Sequence, residues 1–214
     1  MSILNIVAKG GILIIPIILC SLIAIGILIE RLVTLRKFRI NSRTFIMQIR
    51  NLLVKGQITE AVMQCKRTPG PIAKISKAAV EKYNRPHQEI RDAIESAGKM
   101  EIYLLEKNLG VLGTIAAIAP LLGFLGTVTG MIKAFMRIQM LGGNVDANVL
   151  AGGIWEALVT TAAGLAVGIP ALIFYNWLQS KVEQFVFEME DSSNALIDIL
   201  HERGGSGRDL SNES

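Results

Sequence analysis

The sequence predicts an all-α membrane protein in which three transmembrane helices carry long cytoplasmic helical extensions. Its 214 residues are 51% hydrophobic, and the mean hydropathy of +0.45 lies above what a soluble core needs. Three apolar runs each reach the ~20 residues that a helix needs to cross a bilayer core about 30 Å thick. Glycine supplies 20 residues while aromatics make up only 6%. Membrane helices pack through small side chains where soluble cores use rings.

Residues 1–10 precede the first run and form a short N-terminus. The first span, 11–29, holds no charge and stops at Glu30 and Arg31. A cleaved signal peptide would have a shorter apolar core and a small-x-small site after it, and Leu19 before Cys20 argues against a lipoprotein. Residues 30–108 read as a cytoplasmic helical domain, with Phe45, Ile49, Leu52 and Leu53 at helical spacing. A turn at Thr68-Pro69-Gly70-Pro71 and a break at Tyr83-Asn84-Arg85-Pro86 give three helical pieces, the last continuing from His87 straight into the second span. That span covers 109–132, a loop covers 133–153, and the third span covers 154–178 with Glu156 as its one charge. Val182, Phe185, Val186, Met189 and Leu196 extend a helix over 179–203. Gly204-Gly205-Ser206-Gly207 then ends it, leaving 204–214 as a disordered polar tail.

Lys and Arg near span ends stay cytoplasmic. Arg31, Arg36, Lys37, Arg39 and Arg43 follow the first span, and Arg91, Lys99 and Lys107 precede the second. The N-terminus offers only Lys9, and the loop only Lys133 and Arg137 beside Asp146. The N-terminus and the loop are therefore expected in the periplasm and the C-terminus in the cytoplasm. The net charge of +4 is a topology signal; no stacking aromatics accompany the basic residues, so the expected partner is a lipid bilayer and not nucleic acid. Cys20 and Cys65 fall in different compartments and form neither a disulfide framework nor a metal-ligand spacing. No cofactor or metal is expected. A phosphate-binding glycine loop ending in Lys-Ser/Thr, His-Glu-x-x-His and Gly-x-Ser-x-Gly are all missing, and His87 and His201 stand alone, so the sequence does not read as an enzyme.

The first span is nearly all Ile and Leu, whereas the other two carry stripes of small and hydroxyl residues. On the second the stripe is Gly113, Ala117, Pro120, Gly123, Thr127 and Gly130; on the third it is Gly153, Ala157, Thr161, Gly164 and Gly168. These two helices should pack closely and leave the first facing lipid. Pro16, Pro120 and Pro170 each interrupt a span and are candidate kinks. The second span runs outward and the third inward, so Thr127 and Thr161 both lie roughly 8–10 Å below the outer ends at about 1.5 Å per residue. With Glu156 above them they would form one polar patch in the outer half of the membrane. A stripe of small residues also suits ordinary helix packing, and a shallow Glu156 also suits a residue that simply reaches water.

The stretches Pro120-Leu-Leu-Gly-Phe-Leu-Gly-Thr-Val-Thr-Gly130 and Glu156-Ala-Leu-Val-Thr-Thr-Ala-Ala-Gly-Leu-Ala-Val-Gly-Ile-Pro170, followed by Tyr175-Asn176, resemble the signatures of the ExbB/TolQ proteins of the MotA/TolQ/ExbB proton channel family. The three-span plan with a large internal loop is closer to ExbB and TolQ than to the four-span MotA type. The resemblance implies a ring-forming homopentamer in the bacterial inner membrane. Its second and third spans would line a pore around a one-span ExbD/TolR-like protein that brings an intramembrane Asp. A TonB- or TolA-like energy transducer would complete the complex. It further implies that Thr127, Thr161 and Glu156 lie on the ion path.

Thr hydroxyls do not titrate, and no Asp, His or Lys lies deep in any span. The chain alone therefore cannot relay protons, and a partner carboxylate would supply the missing group. The work done would be outer-membrane import, as for ExbB; a TolQ-like role in envelope integrity and division, or a non-conducting assembly scaffold, are the alternatives. The sequence leaves proton and sodium open, although hydroxyls without further oxygen ligands suit a proton better.

Overall fold

A computed structural model describes residues 11–38, 40–140 and 147–209, with side-chain surroundings over 150–200 in the last stretch. The expectations for 1–10, for 141–146 of the loop and for 210–214 fall outside these residues. The described elements are all helices: α1 (Ile14–Lys37), α2 (Ser42–Val54), α3 (Ile58–Arg67), α4 (Pro71–Glu81), α5 (His87–Glu106), α6 (Leu109–Met140) and α7 (Ala147–Asp209). Three stretches are long and apolar enough to cross a membrane: α1, the stretch ending at Met140, and α7 between Leu150 and Leu200. The chain forms two compact units, Met1–Glu30 with Asn108–Leu178 and Arg31–Lys107 with Gln179–Ser214.

In the second unit the amphipathic pattern sets the helices. Asn41 caps α2, its Oδ1 accepting from the Thr44 amide at 3.0 Å, and Phe45, Ile46, Ile49 and Leu53 are buried. Ile46 takes the core place that the spacing had offered to Leu52, which is half-buried. Four helices, not three, occupy this segment before the second span. Gly56 at φ 74 stops α2 in a Schellman turn, with the Gln57 amide on Leu52 O at 2.9 Å and the Gly56 amide on Leu53 O at 3.0 Å. Gly70, at φ 110 and closed over by the Phe38 main chain, leads Pro71 into the first position of α4. On α5 the buried Glu101 carboxylate takes Lys74 Nζ at 2.9 Å.

The helix from His87 does not run straight into the second span. Lys107 turns extended (φ −49, ψ 134) and Asn108 sits at φ 64, which ends α5 and restarts the chain as α6. Asn tolerates the left-handed region better than most residues. Glu30 and Arg31, at which the first apolar run stops, also make specific hydrogen bonds. Glu30 Oε2 accepts from Asn108 Nδ2 at 2.8 Å in the first unit. In the second, buried Arg31 donates to the Leu104 and Leu105 carbonyls at 3.0 and 3.3 Å, satisfying the last turn of α5.

Beyond the third span, Val182, Phe185, Met189, Leu196 and Leu200 form the buried stripe of α7, with Ser192 in the same row and Val186 only half-buried. Ser42 Oγ donates to Glu188 Oε2 at 3.0 Å, so this stripe and α2 share the unit. The helix passes through Gly204-Gly205-Ser206-Gly207 to Asp209. Glycine weakens a helix by about 1 kcal/mol per residue but keeps the amide that proline would remove, so it does not compel a stop. The loop expected at 133–153 is likewise mostly helix, because α6 runs on to Met140 and α7 starts at Ala147.

Cys65 is 3% exposed, and burial pushes its thiol up to about 11. At pH 8 it stays a neutral thiol, which is neither nucleophile nor metal ligand. A water-soluble maleimide should therefore leave Cys65 unmodified in the folded protein and modify it on denaturation, as read by peptide mass; ready labelling of the native chain would contradict its burial.

In the first unit α1 buries one stripe, Ile14, Ile17, Ala24 and Ile27, and exposes Ile15, Leu19, Leu22 and Ile29. Its apolar exterior agrees with a lipid-facing helix, while the buried stripe packs it against its neighbours. None of the three prolines breaks a helix. Pro16 lies in the first turn of α1, where its missing amide costs no intrahelical bond, and α6 and α7 continue through Pro120 and Pro170.

Candidate functional site

The site is built on the seam between α6 and α7, and main-chain proximity dictates its small residues. A Cβ on Gly164 would stand 2.5 Å from Ala119 O and 2.9 Å from Gly123 Cα. One on Gly123 would stand 3.1 Å from both Thr160 O and Thr161 Cα. Further outward Gly130 meets Ala157 and Gly153 meets Ala134; further inward the Pro120 ring occupies the space over Gly168 and the Tyr175 ring lies on Gly113. The predicted packing glycines Gly113, Gly123, Gly130, Gly164 and Gly168 thus all lie against a neighbouring helix. Ala117 does not: it is exposed, and Ala116 and Ala119 take the seam instead. Pro120 would leave the Ala116 carbonyl without its helical donor, and that oxygen lies 3.2 Å from the Cβ position of Gly168, so glycine there lets the other helix close over it.

Thr161 Oγ1 donates to Gly123 O at 2.8 Å, a hydrogen bond across the seam. Thr127, one turn beyond Gly123, donates to Phe124 O at 2.6 Å on its own helix. Both hydroxyl protons are thereby committed to main-chain carbonyls, and what each oxygen still offers is lone pairs. Both side chains are half-buried.

Glu156 does not join them. It precedes Thr161 by five residues, roughly 140° around the helix, and its carboxylate lies on the other flank of the pair, beside Gly11 at the entry to α1. There Oε1 accepts from Lys133 Nζ at 2.8 Å. Thr129 lies on the same flank, two residues from Thr127 and so nearly opposite it around α6. Glu156, Lys133, Thr129 and Thr160 line a cavity of about 220 Å³ with Ile12, Leu13, Leu125 and Gly126. The single polar patch expected from depth is in fact two, because depth fixes height along a helix and not the direction a side chain leaves it.

Three contributors escaped the sequence reading. Gly126 is small because Thr160 fills the space over it; its offset of three residues from Gly123 was the signal. Thr160, at 1% exposure and donating to Glu156 O at 2.8 Å, was hidden by its neighbour Thr161. Lys133 falls by sequence in the expected loop, and the signal for the pair is its charge, opposite to that of Glu156 at the facing end of the next span.

A multi-span helical membrane protein whose second and third spans meet through glycine and carry hydroxyls at the seam is the class that this fold and site define. The chain belongs to the MotA/TolQ/ExbB proton channel family, whose model matches residues 67–191, more than half its length. It is 31% identical over 198 residues to the putative biopolymer transport protein ExbB-like 3 of Synechocystis sp., covering 91% of this chain and 92% of that one. The putative biopolymer transport protein ExbB homolog of Methanothermobacter thermautotrophicus is 32% identical over 76% of this chain, which spans only 57% of that relative. The Tol-Pal system protein TolQ of Haemophilus influenzae is 35% identical over 51% of this chain and 47% of its own length. The ExbB resemblance read from the signatures stands, and the family is described as one of channels.

Proposed function

We propose that this chain is the ring-forming subunit of an inner-membrane, ion-driven motor, in which an ExbD/TolR-like partner's aspartate moves along the flank that carries Thr127 and Thr161. The observation that supports this best is the commitment of both hydroxyl protons to carbonyls at 2.6 and 2.8 Å. Each oxygen can then only accept, so it favours a protonated carboxyl over a carboxylate. A partner aspartate that has taken a proton from the periplasmic side would rest on these acceptors, pass an otherwise apolar wall as a neutral group, and lose the proton on reaching cytoplasmic water. Five copies around an asymmetric partner would present this station five times, which turns ion flow into stepwise rotation. A TonB- or TolA-like transducer would take up the work, with import favoured over envelope maintenance by the ExbB-like relatives. The N-terminus is periplasmic and the C-terminus cytoplasmic in this reading.

Two acceptors without further oxygen ligands suit a proton, since a metal ion wants several oxygens. Liposomes holding the chain with its one-span partner should therefore acidify under an imposed pH gradient in sodium-free buffer. Flux that appears only when sodium is added would overturn the proton as the driving ion.

A further inference from the structure

We infer that Lys133 is a positioning residue: its ion pair with Glu156 closes the outer mouth of a water-accessible vestibule on the α1 flank, separate from the Thr127/Thr161 station. The cavity of about 220 Å³ is large enough for several waters, each of which takes about 30 Å³ in the liquid. Its polar lining is layered. Lys133 and Glu156 stand at one level, and Thr129 and Thr160 lie one helical turn further in, four residues before Lys133 and four after Glu156. Gly126 lies directly against Thr160, and Leu125 lies one turn inward of Thr129. Water would thus enter past the ion pair, meet the hydroxyls and stop on apolar wall.

Among the described residues Lys133 is the one side chain that donates to Glu156, at 2.8 Å. Thr160 cannot replace it, because its hydroxyl faces the Glu156 main-chain carbonyl at 2.8 Å, and Thr129 gives its proton to Leu125 O at 2.9 Å. Gly11 lies beside the mouth: at φ 67, a Cβ on it would collide with the Glu156 carboxylate, so glycine at this position leaves room for that carboxylate. Among the described residues no other side chain holds the carboxylate over the opening. This deepens the conducting reading by giving Glu156 a task away from the Thr127/Thr161 flank, but the cavity and its closure do not depend on ion flow.

The experiment reads the cavity directly. Thr129→Cys in the full chain in lipid is exposed from outside to a small cationic methanethiosulfonate, and modification of that position is timed by peptide mass, so that Cys20 and Cys65 need no replacement. Labelling should be slow in the parent and about threefold or more faster with Lys133→Met or Glu156→Gln, the factor that one partly exposed ion pair sustains. Lys133→Arg should restore the slow rate. Thr127→Cys, on the other flank, should label at a rate that Lys133→Met does not change. Equal Thr129→Cys rates in all four backgrounds, or equal acceleration at Thr127→Cys, would overturn the gate, the second by showing general loosening. Neither result bears on whether the complex conducts.

Discussion

Gly164→Ala should lower the unfolding stability of the purified chain by about 1–3 kcal/mol, the range for forcing one methyl into a packed contact that cannot yield. The added Cβ would meet Ala119 O at 2.5 Å and Gly123 Cα at 2.9 Å. Both are main-chain atoms, so no rotamer change relieves them, and α6 and α7 must separate. Separation also breaks the 2.8 Å hydrogen bond from Thr161 to Gly123. Apolar burial cannot offset the loss, because lipid solvates apolar side chains as well as a neighbouring helix does. Gly152→Ala is the control: a Cβ there meets nothing within 4 Å, and the change should be neutral or slightly stabilising. Detergent unfolding titrations of the two variants measure the difference. Equal midpoints would mean that the seam is not held by main-chain proximity.

Thr161→Val should reduce partner-dependent ion flux by about tenfold or more while leaving the chain folded. Valine keeps the shape and removes the hydroxyl. The lost interhelical hydrogen bond is worth about 0.6 kcal/mol on average in membrane helices. An effect of that size accounts for no more than about a threefold change in any equilibrium, so a tenfold fall in flux at unchanged stability separates an acceptor role from a packing role. Thr161→Ser, which keeps the oxygen, should retain most of the flux. If valine and serine variants conduct equally, Thr161 is a packing residue and the acceptor station is wrong.

The three spans were legible because a bilayer imposes a length and an apolarity on any helix that crosses it. The packing glycines were legible for a related reason: Gly123, Gly164 and Gly168 are small where another main chain or proline ring comes close, and that requirement leaves a trace at three-to-four-residue spacing. What distinguishes one flank of a helix pair from another leaves a weaker trace. Glu156 and Thr161 stand five residues apart on one helix yet belong to different flanks, and the chain leading into α1 marks the difference: Ile12 and Leu13 close the Glu156 side into a cavity. Thr129 and Lys133 join that cavity from α6, at offsets that no depth estimate resolves.

In the second unit the break at Gly56 has a local signal, since a left-handed glycine shortly after Val54 is an ordinary helix stop. The break at Asn108 was a harder case, because it depends on Glu30, 78 residues away, to hold the Asn108 side chain at 2.8 Å. The continuous passage through Pro120 shows the reverse effect, in which a local rule gives way to a tertiary contact with Gly168.

The central claim is a division of labour, with this chain supplying acceptors and a partner supplying the group that titrates. Within 109–132 of α6 and 154–178 of α7, Glu156 is the one carboxylate, and it is tied to Lys133 at 2.8 Å. Lumen acidification of liposomes under an imposed pH gradient measures the claim with three preparations: the chain alone, the chain with its one-span partner, and the chain with a partner whose intramembrane Asp is replaced by Asn. Acidification in the second preparation alone is the predicted result. Equal proton entry through the chain alone, or undiminished entry with the Asn partner, would contradict it.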